Sequence, residues 1–404
     1  MNEIEKEVKI TKEEAKDLLE KTYNNLIQIL HRYLVLKEEQ YKIIALWIIG
    51  TYFHDKFYSY PFLFFNAMKG SGKSRSIKLI TYLAKDGQVM LSPTEATLFR
   101  MTGTLGIDEA EGIANKEKAS IRELLNASYK KGTKVFRMKK VKTATGSEQQ
   151  VEEFEPYRPI VLANIYGMEE VLGDRCIQLI LDKSDDASRT KLVEAFDCDE
   201  VVTNTLKMLK KCSLCSVVMK KNIYMEWNNY IINEHTTTLT TYTTTNTLTT
   251  QTTSTQYIEF FKLIDNSGIY GRNLELFMPM FLISNFISKD LVLENIEIAK
   301  KLIEDTKHEE EVENKDILLI EFIAGLDVGI SDYYLVKDLT HKFKEQFDLL
   351  DDEDVNPKWF GKSLKRLNLI IDKRRRGRGI EVLTNSVKAK EKLKMFKNDT
   401  KKNL

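Results

Sequence analysis

Residues 66–74 read NAMKGSGKS. They stand between an apolar run, PFLFF (61–65), and SIKLITYLA (76–84), whose apolar residues recur at helical spacing. The stretch fits G-x-x-x-x-G-K-[ST], the phosphate-binding loop, with Ala67 at the first glycine. In that reading Ala67, Met68, Lys69, Gly70, Ser71 and Gly72 form a cradle whose backbone N–H groups close around phosphate oxygens. Lys73 would reach the β- and γ-phosphates, and Ser74 would offer its hydroxyl to Mg²⁺. A helix starting here would add its partial positive charge. The same letters also describe a glycine turn with an exposed lysine. An acidic motif downstream separates the two.

Residues 104–109 supply one: TLGIDE, an apolar strand ending in two acids. Asp108, 35 residues after Lys73, would hold Mg²⁺, and Glu109 would orient and deprotonate an attacking water. A strand can end in two acids by chance, so the order of the two motifs carries the weight. Together they point to ATP as ligand, and Glu109 favours hydrolysis over sensing. Two further residues stand at strand ends. PIVLAN closes on Asn164, and eleven residues later GDRC places Arg175 before CIQLIL. Asn164 can equally be a turn residue, and Arg175 can equally pair with Asp174.

These residues need a scaffold that brings distant strand ends together. Residues 61–185 alternate short apolar runs with helical patterns, the mark of an α/β parallel sheet flanked by helices. Candidate strands are 62–65, 88–92, 104–108, 159–164 and 177–181; candidate helices are 73–84, 94–102 and 117–131. Residues 134–156 read as a hairpin, with Arg137, Lys139, Lys140 and Lys142 on its first arm and acids on its second. Those lysines either track a phosphate backbone or pair across to Glu152 and Glu153.

Before this core, residues 1–60 read as helical, opened by a Thr11/Glu14 capping box. After it, 186–310 reads as a helical lid interrupted by a Thr-rich tract (236–256) expected to be a linker or insertion. The charged run 304–315 is a plausible boundary. Residues 316–385 form a small unit: a helix, a second helix with Trp359, Phe360, Leu364 and Leu367 on one face, and a strand–turn–strand. Arg374, Arg375, Arg376 and Arg378 sit at the tip of that last element. The arrangement looks like a winged helix, offering a helix and a basic wing to duplex DNA; a protein-contact role is the alternative. The basic tail, 386–404, is expected to fray.

Composition bounds the rest. The 404 residues are 42% hydrophobic and 30% charged, and 61 Lys+Arg balance 60 Asp+Glu, so a nucleic-acid case must rest on local patches. Four cysteines in so long a chain suit a reducing compartment, and Cys212-Ser-Leu-Cys215 lacks the two further ligands zinc needs. The N-terminus is too charged for a secretory signal, and IIALWIIGTYF (43–53) is too short to span a bilayer. The expectation is a cytoplasmic protein without a membrane partner.

The order ALWIIGTYFHDKF, phosphate loop, SPTEATLFR, LGIDEAE, IRELLNASYKKGTKVFRM and FEPYRPIVLANIYGMEEVLGDRCIQLIL resembles the AAA+ helicase-like ATPase domain of plasmid, virus and phage replication proteins. LELFMPMFLISNFI (274–287) resembles a helix following that core, so the likeness covers about 40–290. It implies that Asn164 senses the γ-phosphate and that Arg175 acts on a neighbouring subunit's nucleotide as an arginine finger. It also implies that the 134–156 hairpin projects into the pore of a homo-oligomeric ring, expected to be a hexamer, around single-stranded DNA. Relatives often carry a primase module, but no acidic metal cluster for priming is present here. The resulting expectation is an ATP-hydrolysing DNA helicase or helicase-like initiator of a mobile element. The alternative is an ATP-switched DNA-binding loader or regulator that oligomerises without unwinding.

Overall fold

The computed structural model describes residues 10–67, 70–91, 93–108, 119–143, 146–164, 170–181, 183, 186–215, 222–236, 257–326, 333–377 and 379–400. Met68, Lys69, Glu109, Arg378 and the Thr-rich tract beyond Thr236 lie outside them. For Lys139, Lys140 and Lys142 the backbone alone is described. The chain divides into two compact units, 1–303 and 304–404.

The first unit opens with α1 (Lys12–Tyr33) and α2 (Glu38–Thr51). Thr11 caps α1: its hydroxyl accepts from the Glu14 N–H at 3.2 Å, while the Glu14 carboxylate accepts from the Thr11 N–H at 2.9 Å. The apolar stretch noted above forms most of α2, with Ile43 to Ile49 fully enclosed. The core then runs β1 (Phe62–Ala67), α3 (Lys73–Leu83), β2 (Gln88–Met90), α4 (Glu95–Arg100), β3 (Leu105–Ile107) and α5 (Ala119–Ala127). It continues through β4 (Val135–Thr143), β5 (Gly146–Phe154), β6 (Ile160–Asn164), α6 (Glu170–Gly173) and β7 (Cys176–Leu181). Five strands form one parallel sheet in the order β2-β3-β6-β1-β7; β4 and β5 form a separate antiparallel hairpin. The five candidate strands read from sequence all lie in this sheet.

Burial explains the order. β1 and β6 are buried along their whole apolar runs, as inner strands of a sheet covered on both faces must be. QVM, the least apolar strand, takes the edge. Trp47 Nε1 donates to the Pro61 carbonyl at 2.7 Å and Tyr60 Oη donates to the Trp47 carbonyl at 2.6 Å, clamping the entry of β1 to α2. Helices α7 (Ala187–Thr190), α8 (Glu200–Cys212), α9 (Ile223–Thr236), α10 (Ile258–Asp265) and α11 (Gly271–Ile287) follow. Cys212 and Cys215 are buried in this part of the core.

α12 (Lys289–Gly325) starts in the first unit and ends in the second, so the charged run 304–315 is helical. Leu319, Ile320, Phe322 and Ile323 of α12 contribute to the second unit's core. That unit also contains β8 (Tyr334–Leu335), α13 (Val336–Gln346), α14 (Pro357–Arg366), β9 (Ile370–Arg376), β10 (Gly379–Thr384) and α15 (Ser386–Thr400). Asn356 caps α14, accepting from the Lys358 and Trp359 N–H groups, with Pro357 at the first helical position. The strands form an antiparallel sheet in the order β8-β10-β9. The expectation of a frayed tail is corrected through residue 400: Asn385 Oδ1 accepts from the Lys388 N–H at 2.9 Å and Ala389 is buried in the second core.

Candidate functional site

The chain leaves β1 for the far edge at β2 and then returns across the sheet through β3, β6 and β7. The carboxyl end of β1 is therefore the point where the strand order reverses, the place where open α/β sheets bind ligands. Residues 66–74 occupy it. Ala67 is the last residue of β1, paired with Leu181. It is extended there, so the departure from the usual glycine carries no backbone penalty. Gly70 and Gly72 have φ of 85° and 88°, where side-chain-bearing residues are strained. A Cβ on either would meet no heavy atom within 4 Å, so the loop faces open space. Gly72 is also the N-cap of α3 and supplies no side-chain acceptor, and the first turn has no acidic residue. Lys73 and Ser74 are the first two residues of that helix and are partly buried.

Two neighbouring strands end beside this loop. Asn66 of β1 lies next to Asn164, the last residue of β6, and Ile107 of β3 lies next to Leu162. Asp108 follows Ile107 directly. Asn164 is 7% exposed and Asp108 6%. The Asp108 N–H donates to the Met90 carbonyl at 3.1 Å, but its Oδ1 is buried and accepts no hydrogen bond. A buried carboxylate oxygen left bare is costly unless a cation takes it. Among the described residues no three His, Cys, Asp or Glu side chains gather as a metal cluster. Mg²⁺ held by one carboxylate, one hydroxyl and substrate phosphates needs no such cluster, so Ser74 and Asp108 fit it.

Two contacts missed at the sequence level set these parts. A Cβ on Gly106 would lie 2.5 Å from Thr81 Oγ1 and 2.9 Å from Ile77 Cγ2, so glycine is what lets α3 pack this closely on β3 two residues before Asp108. Arg75, in the first turn of α3, donates to the Arg189 carbonyl at 2.7 Å and the Leu192 carbonyl at 2.8 Å. It anchors the start of the helix to the segment after β7. An arginine following the motif carries no spacing signal that would have revealed this.

Arg175 stands at the opposite ends of the strands, at the start of β7. Its carbonyl accepts from the Phe62 N–H at 3.0 Å, beside the entry of β1. The six residues of β1, at about 3.3 Å each, put roughly 16 Å or more between it and the loop of its own chain. Arg175 does not pair with Asp174, the alternative weighed above. Its Nη1 donates to the Val171 carbonyl, and its guanidinium lies 5.9 Å from the Tyr129 ring centroid. Asp174 instead bonds Arg272 Nε at 2.8 Å.

The hairpin pairs from Val135↔Phe154 to Thr143↔Gly146, and the register sorts its residues onto two faces. Val135, Arg137, Lys139 and Val141 share one face with Glu148, Gln150, Glu152 and Phe154. At the base of the hairpin that face meets α4: Phe154 meets Phe99 at 4.9 Å, and Arg137 lies 4.8 Å from the Phe99 centroid while pairing with Glu95. The other face carries Phe136, Met138, Lys140 and Lys142 opposite Glu153, Val151, Gln149 and Ser147. Phe136, Met138 and Val151 are 55%, 61% and 63% exposed. Glu153 pairs with Lys134 at 2.6 Å. Lys140 and Lys142 thus lie opposite neutral residues, not the acids of the second arm, and Lys139 belongs to the opposite face.

In the second unit the basic strand–turn–strand is not uniformly available. Arg374 Nε bonds Glu381 Oε2 at 2.5 Å, its guanidinium lies 3.6 Å from the Tyr333 centroid, and Tyr333 Oη donates to Asp372. Arg376 lies 3.9 Å from the same Glu381. Arg375 falls on the other face, opposite Ile380, and is exposed.

Among the described residues no helix is long and apolar enough to cross a membrane. Compared with known proteins, the chain matches no family model and no curated sequence.

Proposed function

We propose that the protein is a P-loop ATPase of the AAA+ kind that works on DNA, as a helicase or helicase-like replication initiator assembled as a homo-oligomeric, hexameric ring. The observation that carries this is the convergence at one sheet edge of three features. These are a left-handed double-glycine loop facing open space, a helix start without a side-chain cap, and a buried Asp108 oxygen with no partner. Phosphate, N–H donors and a divalent cation satisfy all three at once.

In this reading Lys73 holds the β- and γ-phosphates, and Ser74 and Asp108 hold Mg²⁺. When bound, Mg²⁺ neutralises phosphate charge as the γ-phosphoryl group is transferred. Glu109 accepts the proton of the attacking water, Asn164 orients that water, and the bond to ADP breaks as the new P–O bond forms. The outward hairpin face, with exposed apolar side chains beside Lys140 and Lys142, suits single-stranded DNA through base stacking and phosphate contacts. The second unit reads as a winged helix for duplex DNA.

The test is ATP turnover by the full chain with Mg²⁺, with and without single-stranded DNA, beside displacement of a labelled strand from a forked duplex. Turnover should rise with DNA and strand displacement should follow. Lys73→Ala should abolish both, and the Lys140→Ala/Lys142→Ala pair should remove the DNA stimulation while sparing basal turnover. A wild-type chain that hydrolyses no ATP under any of these conditions would overturn the proposal.

A further inference from the structure

Around Arg175 stands a group of charges from three separate stretches of chain. Arg272, at the start of α11, bonds Asp174 Oδ2 at 2.8 Å and Glu275 Oε2 at 2.6 Å. Glu275 also bonds Lys130 Nζ at 2.9 Å. Two acids, Asp174 and Glu275, are thereby matched to two bases, Arg272 and Lys130. Arg175 is the fifth charge, and among the described residues no carboxylate pairs with it. Its contacts are the Val171 carbonyl and the face of Tyr129, and its Nε is buried without an acceptor. Arg272 lies over the same ring, 5.2 Å from its centroid. Asp174 is the next residue in the chain and the natural counter-ion for Arg175, yet it is committed to Arg272.

We propose that Arg272 is a positioning residue for Arg175: by occupying Asp174 it keeps the Arg175 guanidinium free of a carboxylate and able to meet a phosphate on a neighbouring copy of the chain. The inference rests on the reading of Arg175 as an arginine finger. A guanidinium already paired to a carboxylate has spent the bidentate geometry that phosphate recognition uses. Without Arg272, Asp174 is left as an unmatched acid beside an unmatched base, and the two pair with each other.

The experiment compares steady-state ATP turnover of the full chain for Arg175→Ala, Arg272→Ala, Asp174→Asn and the Arg272→Ala/Asp174→Asn double variant. Each is also checked for its thermal unfolding midpoint. Arg175→Ala should lower kcat by about 10³-fold, the scale of a missing finger. Arg272→Ala should lower kcat by about 10-fold with KM little changed, because a competing ion pair must be broken before the finger is offered. Asp174→Asn should turn over at the wild-type rate, and the double variant should recover most of what Arg272→Ala lost.

A purely structural role for the bridge gives the opposite pattern. Asp174→Asn would then be as damaging as Arg272→Ala, and the double variant would be no better than either. Either of those results overturns the proposal. Should Arg272→Ala fail to fold, Asp174→Asn alone decides, since only a structural role predicts a loss. If Arg175→Ala turns over at the wild-type rate, it is the finger assignment that falls, and the proposal with it.

Discussion

A buried carboxylate with a bare oxygen costs about 1–3 kcal/mol in a protein that has nothing to place on it. Asp108 is such a residue, enclosed at the end of β3 with Oδ1 accepting no hydrogen bond. In the proposed site its presence weakens the empty fold and serves the loaded one. Asp108→Asn should therefore leave the unfolding midpoint without nucleotide unchanged or higher, while MgATP turnover falls by about 10²-fold or more. The measurement is thermal unfolding with and without Mg²⁺-nucleotide, beside turnover. An earlier midpoint in the empty variant would mean that the carboxylate supports the fold and not a cation. This residue was legible in the sequence because the loop and TLGIDE are each contiguous, with chemistry written in local spacing. Arg272 and Tyr129 were not, because the cluster at Arg175 joins residues 97 positions apart in one case and 46 in the other. No local pattern marks a side chain whose partner arrives through the fold. Glu109 belongs to the same motif as Asp108, and its role stays a reading of the sequence.

Elements decide which of several like residues can act. The sequence shows four arginines near the tip of the strand–turn–strand as one basic patch, whereas pairing across β9 and β10 sets Arg375 on a different face from Arg374 and Arg376. Arg374 is held by Glu381 and by the Tyr333 ring; Arg375 lies opposite Ile380 and is exposed. If the unit binds duplex DNA, Arg375→Ala should weaken binding and flatten the slope of log K against log salt by about 0.9, the loss of one phosphate contact. Arg374→Ala should instead lower the unit's stability by about 1 kcal/mol, chiefly through the lost contact with Tyr333, and change the slope less. Duplex titrations across a salt series, with thermal unfolding of both variants, distinguish them. Equal slopes for the two variants, with the Arg374→Ala midpoint unmoved, would show that the pairing does not restrain Arg374. The hairpin teaches the same lesson. Alternation along the strand implied two faces, but only the register revealed that Lys140 and Lys142 lie opposite Gln149 and Ser147. Of the basic residues on the first arm, Arg137 is the one the register sets opposite an acid, Glu152.

At the scale of the whole molecule, the sheet separates the two halves of the proposed chemistry. The proposed phosphate loop leaves the exit of β1, while Arg175 stands at its entry, bonded through its carbonyl to Phe62. A rigid parallel strand about 16 Å or more long keeps an arginine from reaching its own chain's nucleotide, whereas a contact needs less than about 4 Å. Arg175 therefore acts on a neighbouring chain or not at all. Alternation of apolar runs gave notice of an α/β sheet, but the parallel pairing of β1 with β7 that puts loop and arginine at opposite strand ends is a long-range property. Lys73→Ala and Arg175→Ala should each be inactive alone: one lacks the lysine at its loop, the other the cation offered to its neighbour. Mixed in equal amounts, they should regain activity. In the proposed head-to-tail ring each loop meets a single neighbour's arginine, so random mixing pairs an intact loop with an intact arginine at about a quarter of interfaces. Turnover of the mixture should approach that fraction of the wild-type rate. It should also fall on dilution, because an interface that depends on association weakens with concentration. Activity within a single chain predicts no recovery at any ratio, since neither variant carries a complete set. A mixture as inactive as its components, in conditions where the chains demonstrably co-assemble, would remove Arg175 from the site and leave the loop and Asp108 to act alone.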